Sequence, residues 1–420
     1  MRIYNLFPRL AGPFSAWRPH LERAADLGFN WIFVNPIQQP GRSQSLYSIK
    51  DYFKINPIFL DPNTAKSPED QIRETLAWAE GLGLRVMQDL VINHCAYDSP
   101  LVKRHPEWFL KEKGRIAHPF CLHEGKKVVW KDLASFDHRH TSDPEGLYRY
   151  CRAVVEHLLA LGFKGFRCDA AYQIPREFWQ RLIEETKRAY PEVIFVAETL
   201  GCSVEQTRET AEAGFDYIFN SAKWWDFESP WLLEQYNLTR EIVPSIAFPE
   251  SHDTPRLFAE SRSVDALKQR YLFAALFSAG VMMPIGYEFG FQKPLHVIDT
   301  KPQDWEETEV DLCEFIRKVN GIKSRYRVFQ EESVCEVLDH LNPAVLLMWK
   351  AAARDHQEAL IILNKNVWGR EQFYTEDLYR YIQSSPPLVD VSPEWTQEYL
   401  PTPYHFELAP GMGRVLVAGV

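Results

Sequence analysis

The sequence predicts a (β/α)8 barrel, a TIM barrel, with a small insertion after its third strand and an antiparallel β domain at its C-terminus. Three observations predict this. Short apolar runs alternate with helix-period segments through residues 3–319, the rhythm of parallel strands joined by crossover helices. About fifty residues between Asn93 and Pro144 interrupt that rhythm, and loops of that length are functional or form a subdomain. From Phe329 onward, strand-like runs follow one another without helices between them. Eight strand–helix units close a barrel. An open doubly wound sheet is the structural alternative, disfavoured because no glycine-rich phosphate loop follows the first strand.

Taken in order, the first strand is read at residues 3–7 and a helix at 14–27, stopped by Gly28. The second strand covers 31–36, a helix 68–82 and the third strand 85–93. After the interruption come a helix at 144–161, Gly162, and the fourth strand at 165–170. A helix at 175–190 precedes the fifth strand at 193–198, and a helix at 203–213 precedes the sixth at 217–220. The seventh strand is 245–248, followed by a helix at 264–277. The eighth is 281–287, and a last helix is read at 310–319. Runs at 345–350, 358–363 and 414–418 are the strands of the terminal domain. The expected division is a barrel at 1–94 and 142–328, an insertion at 95–141 and a C-terminal β-sandwich at 329–420.

Bulk properties narrow the function. The chain has 420 residues, 45% hydrophobic and 25% charged, with a formal net charge of −10. An acidic globular chain has no electrostatic reason to seek nucleic acid or an anionic membrane, so neither is an expected partner. No stretch reaches the ~18 apolar residues of a membrane span. The 13 Trp and 14% aromatic content are mostly core, with a minority free to stack on ligand rings. The seven Cys are scattered without a CxxC pair, which reads as free thiols in a reducing compartment. With no apolar leader at Met1, the expected location is cytoplasmic. Oligomeric state is not legible.

Barrel enzymes carry their chemistry at the C-terminal ends of the strands. Three of those ends bear acids: Asp169 after the fourth, Glu198 after the fifth and Asp253 after the seventh. Asp169 and Glu198 are about thirty positions apart, the length of one βαβ unit, so they occupy neighbouring strands ~4.8 Å apart. Retaining glycosidases need carboxyl groups ~5–5.5 Å apart. Any one acid alone could cap the following helix; three together are harder to explain that way. Arg167, two residues before Asp169, shares its face of the strand and supports its charge.

At these residues the sequence resembles the α-amylase superfamily, glycoside hydrolase family thirteen, over nearly its whole length. Four motifs carry the resemblance: Asp89-Leu-Val-Ile-Asn93-His94, Gly165-Phe-Arg-Cys-Asp169, Val196-Ala-Glu198 and Ser251-His252-Asp253. The segment Tyr47-Ser-Ile-Lys-Asp51-Tyr52 is similar to one that supplies a Tyr stacking beneath the reacting sugar. The resemblance implies that Asp169 is the nucleophile, Glu198 the general acid/base and Asp253 a transition-state stabiliser. It implies substrate binding by Tyr47, His94, Arg167 and His252, with Asp89 supporting them. Tyr172 and Gln173 stand where many relatives have Lys and His lining the leaving-group side, and Ser251 replaces an Asn. Tyr172 is accordingly placed among the substrate-binding residues.

The insertion matches the family's B domain and the terminal region its C domain. His105-Pro-Glu-Trp-Phe109 resembles the maltosyltransferase and trehalose-forming branches, although the Asn93–His94 pair is usually absent from the maltosyltransferases. No metal ligands or cofactor are expected; calcium through Asn93 is the one candidate the resemblance admits. The implied activity is hydrolysis or transglycosylation of α-1,4-glucosidic bonds in malto-oligosaccharides or glycogen-type glucans by double displacement. The alternatives are transfer of a maltosyl or glucosyl unit to an acceptor sugar or from a glycosyl phosphate, and a non-catalytic amylase-like binding protein.

Overall fold

Residues 1–123, 126–354, 356–384 and 386–419 are described by the structure, a computed structural model. Eight parallel strands close a barrel in chain order: β1 (Arg2–Leu6), β2 (Trp31–Val34), β3 (Arg85–Leu90), β4 (Gly165–Cys168), β5 (Ile194–Ala197), β6 (Tyr217–Phe219), β7 (Ser245–Ala247) and β8 (Gly280–Pro284), the last pairing with β1. A helix follows each strand: Arg18–Asp26, Pro68–Gly81, Pro144–Leu161, Arg176–Ala189, Val204–Ala211, Trp231–Thr239, Val264–Phe277 and Cys313–Arg325.

The helix Pro144–Leu161 shows why these segments fold as they do. Asp143 accepts the backbone N–H of Gly146 at its start, and Gly162, at φ 112°, ends it. Between them Leu147, Cys151, Val154, Leu158 and Leu161 turn one apolar stripe to the barrel. Val264–Phe277 differs, being buried on nearly every side. It runs between the barrel and the C-terminal sheet, and Gln269 donates to the Asn364 carbonyl across that boundary at 2.7 Å. Among the described residues no helix is long and apolar enough to cross a membrane.

Inside the barrel, side chains stack by the two-residue period of the strands. Ile3, Phe33, Met87, Val196, Phe219, Ile246, Phe248 and Met282 form a dry interior cluster, with Trp31 below. Two glycines make room for it. A Cβ on Gly165 would stand 2.8 Å from the Ile194 carbonyl oxygen and 3.2 Å from the Trp31 ring, and one on Gly280 would meet Ile246 at 2.5 Å. One period further along, the inward positions turn polar: Asn5, Asn35, Asp89 and Arg167, all buried.

Several boundaries differ from the sequence reading. The third strand leaves the barrel at Leu90; His94–Ala96 then pairs antiparallel with Leu133–Ser135, so His94 belongs to a ribbon of the intervening segment. The fourth ends at Cys168 because Ala170 is left-handed, at φ 40°. The eighth ends at Pro284, and Gly286, at φ 88°, turns the chain into a short helix at Tyr287–Phe289. The last helix lies later than expected, at Cys313–Arg325. A hairpin of Gln38–Pro40 with Ile49–Ile55 follows β2, and the helix Trp231–Thr239 also went unread.

The C-terminal region holds a five-stranded antiparallel sheet, in the order Val334–Leu338, Val345–Ala351, Glu358–Asn364, Gly413–Ala418, Val389–Asp390, and a two-stranded ribbon of Glu371–Thr375 with Tyr404–Leu408. Alternation sorts its two faces. Leu346, Met348, Ile361 and Val415 join the barrel core, whereas Val345, Leu347, Leu360 and Leu416 pack on Phe373 and Tyr404 in a core of their own. Lys350 and Lys323, both fully buried, close the joint. Lys350 Nζ donates to the carbonyls of Leu276 and Phe277 at 2.9 and 2.5 Å. Lys323 Nζ donates to those of Ala275, Ser278 and Phe329 at 2.6–2.7 Å.

Candidate active site

The register of two neighbouring strands builds the centre of the site. Arg167 on β4 lies opposite Asp89 on β3, and both side chains point into the barrel. Arg167 Nη1 donates to both Asp89 oxygens, at 2.9 and 3.1 Å, and to Asp169 Oδ1 at 2.8 Å. Its Nη2 stands 3.9 Å from Glu198 Oε2. One guanidinium thus faces three carboxylates, with its closest contacts to Asp89 and Asp169. Burial pushes the Asp89 carboxyl up and Arg167 pulls it down.

Glu198 takes its position from backbone. The ladder between β4 and β5 continues past both strand ends, with the Glu198 N–H on the Cys168 carbonyl at 3.0 Å, so Asp169 and Glu198 emerge side by side. Glu198 Oε2 accepts the Ala170 N–H and Oε1 the Leu200 N–H, each at 2.7 Å. The left-handed φ of Ala170, which costs about 1–3 kcal/mol in a residue with a Cβ, directs its N–H to that carboxylate. Burial pushes the Glu198 carboxyl up to about 7, with Arg167 opposing and the charge of Asp169 adding to the rise.

The other wall comes from the loops after β2 and β7. Tyr47, in the turn of the 38–55 hairpin, donates from its hydroxyl to Asp89 Oδ2 at 2.6 Å. The same oxygen accepts from Asn35 Nδ2 at 2.9 Å and contacts His252 Nε2 at 2.7 Å. Since Tyr47 gives its proton to Asp89, Nε2 of His252 carries a proton, which also faces Asp253 Oδ2 at 3.0 Å. The Tyr47 and His252 rings stack at 5.7 Å and 8°. His94 Nε2 donates to the Tyr47 carbonyl at 3.1 Å. Burial lowers both histidines and keeps them neutral. Their Nδ1 atoms, and Oδ1 of Asn93, are buried without a protein partner.

Of the residues singled out from sequence, Asp89, Arg167, Asp169, Glu198, Tyr47 and His252 therefore form one connected polar network. His94 joins it through the Tyr47 backbone. Asp253 sits at its edge, 59% exposed and attached through His252. Tyr172 is half-buried in the short helix Ala171–Gln173, near enough to Glu198 and Asp169 to feel their charges, and lines a cleft with Arg139, Arg176, Trp179 and Glu209. Asn93 turns its amide nitrogen to Asp169 Oδ2 and Gln173 Oε1, at 3.3 and 3.4 Å. Among the described residues no three His, Cys, Asp or Glu side chains converge as a metal site. Sequence reading missed Asn5 and Asn35, linked at 3.0 Å beneath Tyr47. A polar residue at an inward position of an otherwise apolar strand was the available signal.

Comparison with known proteins agrees with this architecture. Residues 1–113 match a family model described as glycogen debranching enzyme, glucanotransferase domain. An α-1,4-glucan:maltose-1-phosphate maltosyltransferase of Burkholderia pseudomallei is 24% identical over 87% of this chain and 33% of its own length. A cyclomaltodextrinase of Geobacillus thermopakistaniensis is 24% identical over 83% of this chain and 61% of its own. The chain thus spans between a third and about three fifths of these relatives. Among solved structures, an α-amylase from Lactobacillus plantarum superposes with a TM-score of 0.79 at 20% identity, over 99% of this chain and 98% of that one. A trehalose-6-phosphate hydrolase from Bacillus licheniformis gives 0.73 at 13%, over 99% and 98%. In its closed barrel the chain thus has the fold of these solved structures, and its N-terminal part is similar in sequence to the glucanotransferase domain of glycogen debranching enzyme.

Proposed function

We propose that this protein is a retaining enzyme that hydrolyses or transglycosylates α-1,4-glucosidic bonds of malto-oligosaccharides or glycogen-type glucans. The observation that carries the reading is the unequal treatment of two adjacent carboxyl groups. Asp169 is ion-paired with Arg167 at 2.8 Å, whereas Glu198 is buried, 3.9 Å from that cation and pushed up to about 7. Environments that drive two acids apart in this way assign nucleophile and general acid. Asp169 attacks the anomeric carbon while the bond to the leaving oxygen breaks and that oxygen takes the proton of Glu198. Glu198 then removes a proton from water or a sugar hydroxyl, which attacks the same carbon and frees Asp169. Asp253 supports the distorted ring, and Tyr172 contacts substrate beyond the bond cleaved.

The second reading, transfer of a maltosyl or glucosyl unit to an acceptor sugar or between sugar and phosphate, is favoured by the names of the maltosyltransferase relatives. Maltoheptaose alone, and then with added acceptor or phosphate, separates the two by product analysis. Product of inverted configuration overturns the nucleophile assignment. Binding of maltodextrin with no turnover of any α-glucoside or glycosyl phosphate points instead to a non-catalytic binding protein. The proposed domain division is barrel at 1–94 and 142–328, insertion at 95–141 and C-terminal domain at 329–420. The proposed compartment is the cytoplasm, supported by the six cysteines that are free thiols among the described residues.

A further inference from the structure

Among the described residues five tryptophans are substantially exposed: Trp78, Trp130, Trp224, Trp368 and Trp395. Trp78 lies under Arg18 on an outer helix, Trp130 is in the insertion, and Trp368 and Trp395 are in the C-terminal region. Trp224 alone stands on a loop at the C-terminal end of a barrel strand next to the one that carries Glu198. We infer that Trp224 is the stacking platform for the sugar on the leaving-group and acceptor side of the bond. This inference rests on the reading of Asp169 and Glu198 given above.

The loop is built to hold that indole still. It leaves β6 through Asn220, whose Nδ2 donates to Ser245 Oγ and Ser278 Oγ at 2.8 and 2.7 Å and whose Oδ1 accepts the Ala222 N–H at 3.1 Å. A short helix, Ala222–Trp224, follows. The next residue, Trp225, is buried; its indole N–H donates to the Ser229 carbonyl at 2.7 Å, and its ring packs on Phe227 and Phe273. Lys223 is held on its other side, 3.6 Å from Glu260. Between these anchors Trp224 remains 52% exposed. Its ring meets Phe248 edge-on, at 6.0 Å and 89°, and Phe248 is part of the dry barrel interior. The indole N–H has no hydrogen-bond partner among the described residues. The ring therefore touches the interior by one edge and leaves about half its surface open on the loop at the C-terminal end of β6.

Position around the mouth selects the occupant. The residues proposed to hold the donor sugar come from the loops after β2, β3, β4 and β7. The leaving oxygen must touch Glu198 on β5, so the sugar bearing that oxygen extends over the sector of β5 and β6, where Trp224 stands. A glucosyl ring offers an apolar C–H face to an indole, and stacking needs no charge.

The test uses Trp224→Ala and Trp224→Phe in the full chain, with two substrates. α-Maltosyl fluoride has no sugar on the leaving side, whereas maltoheptaose has. Trp224→Ala should lower kcat/KM for maltoheptaose about tenfold more than for the fluoride, mainly through KM, the factor expected from roughly 60 Å² of apolar surface leaving water. It should also lower the ratio of transfer to hydrolysis, and Trp224→Phe should restore most of both. Equal losses on the two substrates, or none, overturn the inference while leaving the assignment of Asp169 and Glu198 intact. If the wild-type chain turns over neither substrate, the functional reading fails; maltoheptaose affinity measured calorimetrically then decides the platform, standing if Trp224→Ala weakens binding about tenfold and falling if it does not.

Discussion

Replacing Arg167 by Met removes a charge from the most buried part of the site while keeping most of the aliphatic stem of the side chain. In the wild type its guanidinium bonds both oxygens of Asp89, a residue with no exposed surface, and one oxygen of Asp169. Arg167→Met leaves Asp89 buried with only the Tyr47 hydroxyl as donor. Breaking a buried pair from one side costs about 3–5 kcal/mol. For a chain of 420 residues, unfolding entropy near 2.1 cal/mol/K per residue makes that a fall of about 3–6 °C in Tm by scanning calorimetry. Activity should fall further, because Asp169 loses its closest cation: a decrease of about 10²–10³-fold in kcat/KM on maltoheptaose, the range for one preorganised electrostatic group. The double variant Arg167→Met/Asp89→Asn separates the two effects. Neutralising Asp89 removes the stranded charge and should recover most of the lost Tm, yet activity should stay low. If the double variant recovers both, Arg167 serves only to neutralise Asp89. If Arg167→Met keeps activity within a few-fold of wild type, Asp169 is not the nucleophile that Arg167 supports.

Glu198→Gln should lower turnover of malto-oligosaccharides about 10²–10⁴-fold but still react with α-maltosyl fluoride, accumulating a glycosyl-enzyme on Asp169 visible by intact-protein mass spectrometry; no adduct, or adduct elsewhere, refutes the assignment. Because Glu198 must enter the first step protonated and its carboxyl sits at about 7, kcat/KM for maltoheptaose should fall about tenfold per unit above that pH, and a flat profile to pH 9 would exclude Glu198 as the acid. His138 donates from Nε2 to the Ile92 carbonyl at 2.7 Å, and burial lowers it to about 4, against ~6.5 when unfolded. Between those values the unfolded chain binds the proton that the folded chain refuses, so this contribution is present above pH ~6.5 and lost as pH falls toward 4; the urea midpoint should drop between pH 7 and 5, and less steeply in His138→Gln.

The strand-and-helix rhythm was legible where a crossover helix carries its own start and stop signals, as Asp143 and Gly162 do for Pro144–Leu161. The acids at the strand ends were legible because two-residue alternation puts Met87 and Asp89, or Gly165, Arg167 and Asp169, on one face. The hairpin at 38–55 was not. Gln38–Pro40 is short, contains a proline and pairs with shifted register, so no alternation marks it. The partnership of Tyr47 with Asp89 and His252 joins positions 42 and 205 apart in sequence, and closure of the barrel alone brings them together. The seat of Glu198 on the Ala170 amide depends on a left-handed φ that no residue type announces. The helix Trp231–Thr239 was missed because it buries only Leu232, Tyr236 and Thr239, a stripe too sparse to register as a period.

The two buried lysines at the end of the helix Val264–Phe277 have a consequence for how this gene can be cut and joined. Lys323 comes from the last barrel helix and Lys350 from the second strand of the terminal sheet, and together they satisfy the carbonyls of Ala275, Leu276, Phe277 and Ser278. A chain ended at the apparent border near residue 329 would strip two of those carbonyls of their donor and uncover the flank of a helix whose second half is buried on every side. The barrel and its tail are therefore one inheritable unit. Recombination can exchange the loops above the mouth, but a crossover at that border separates a helix from its own cap.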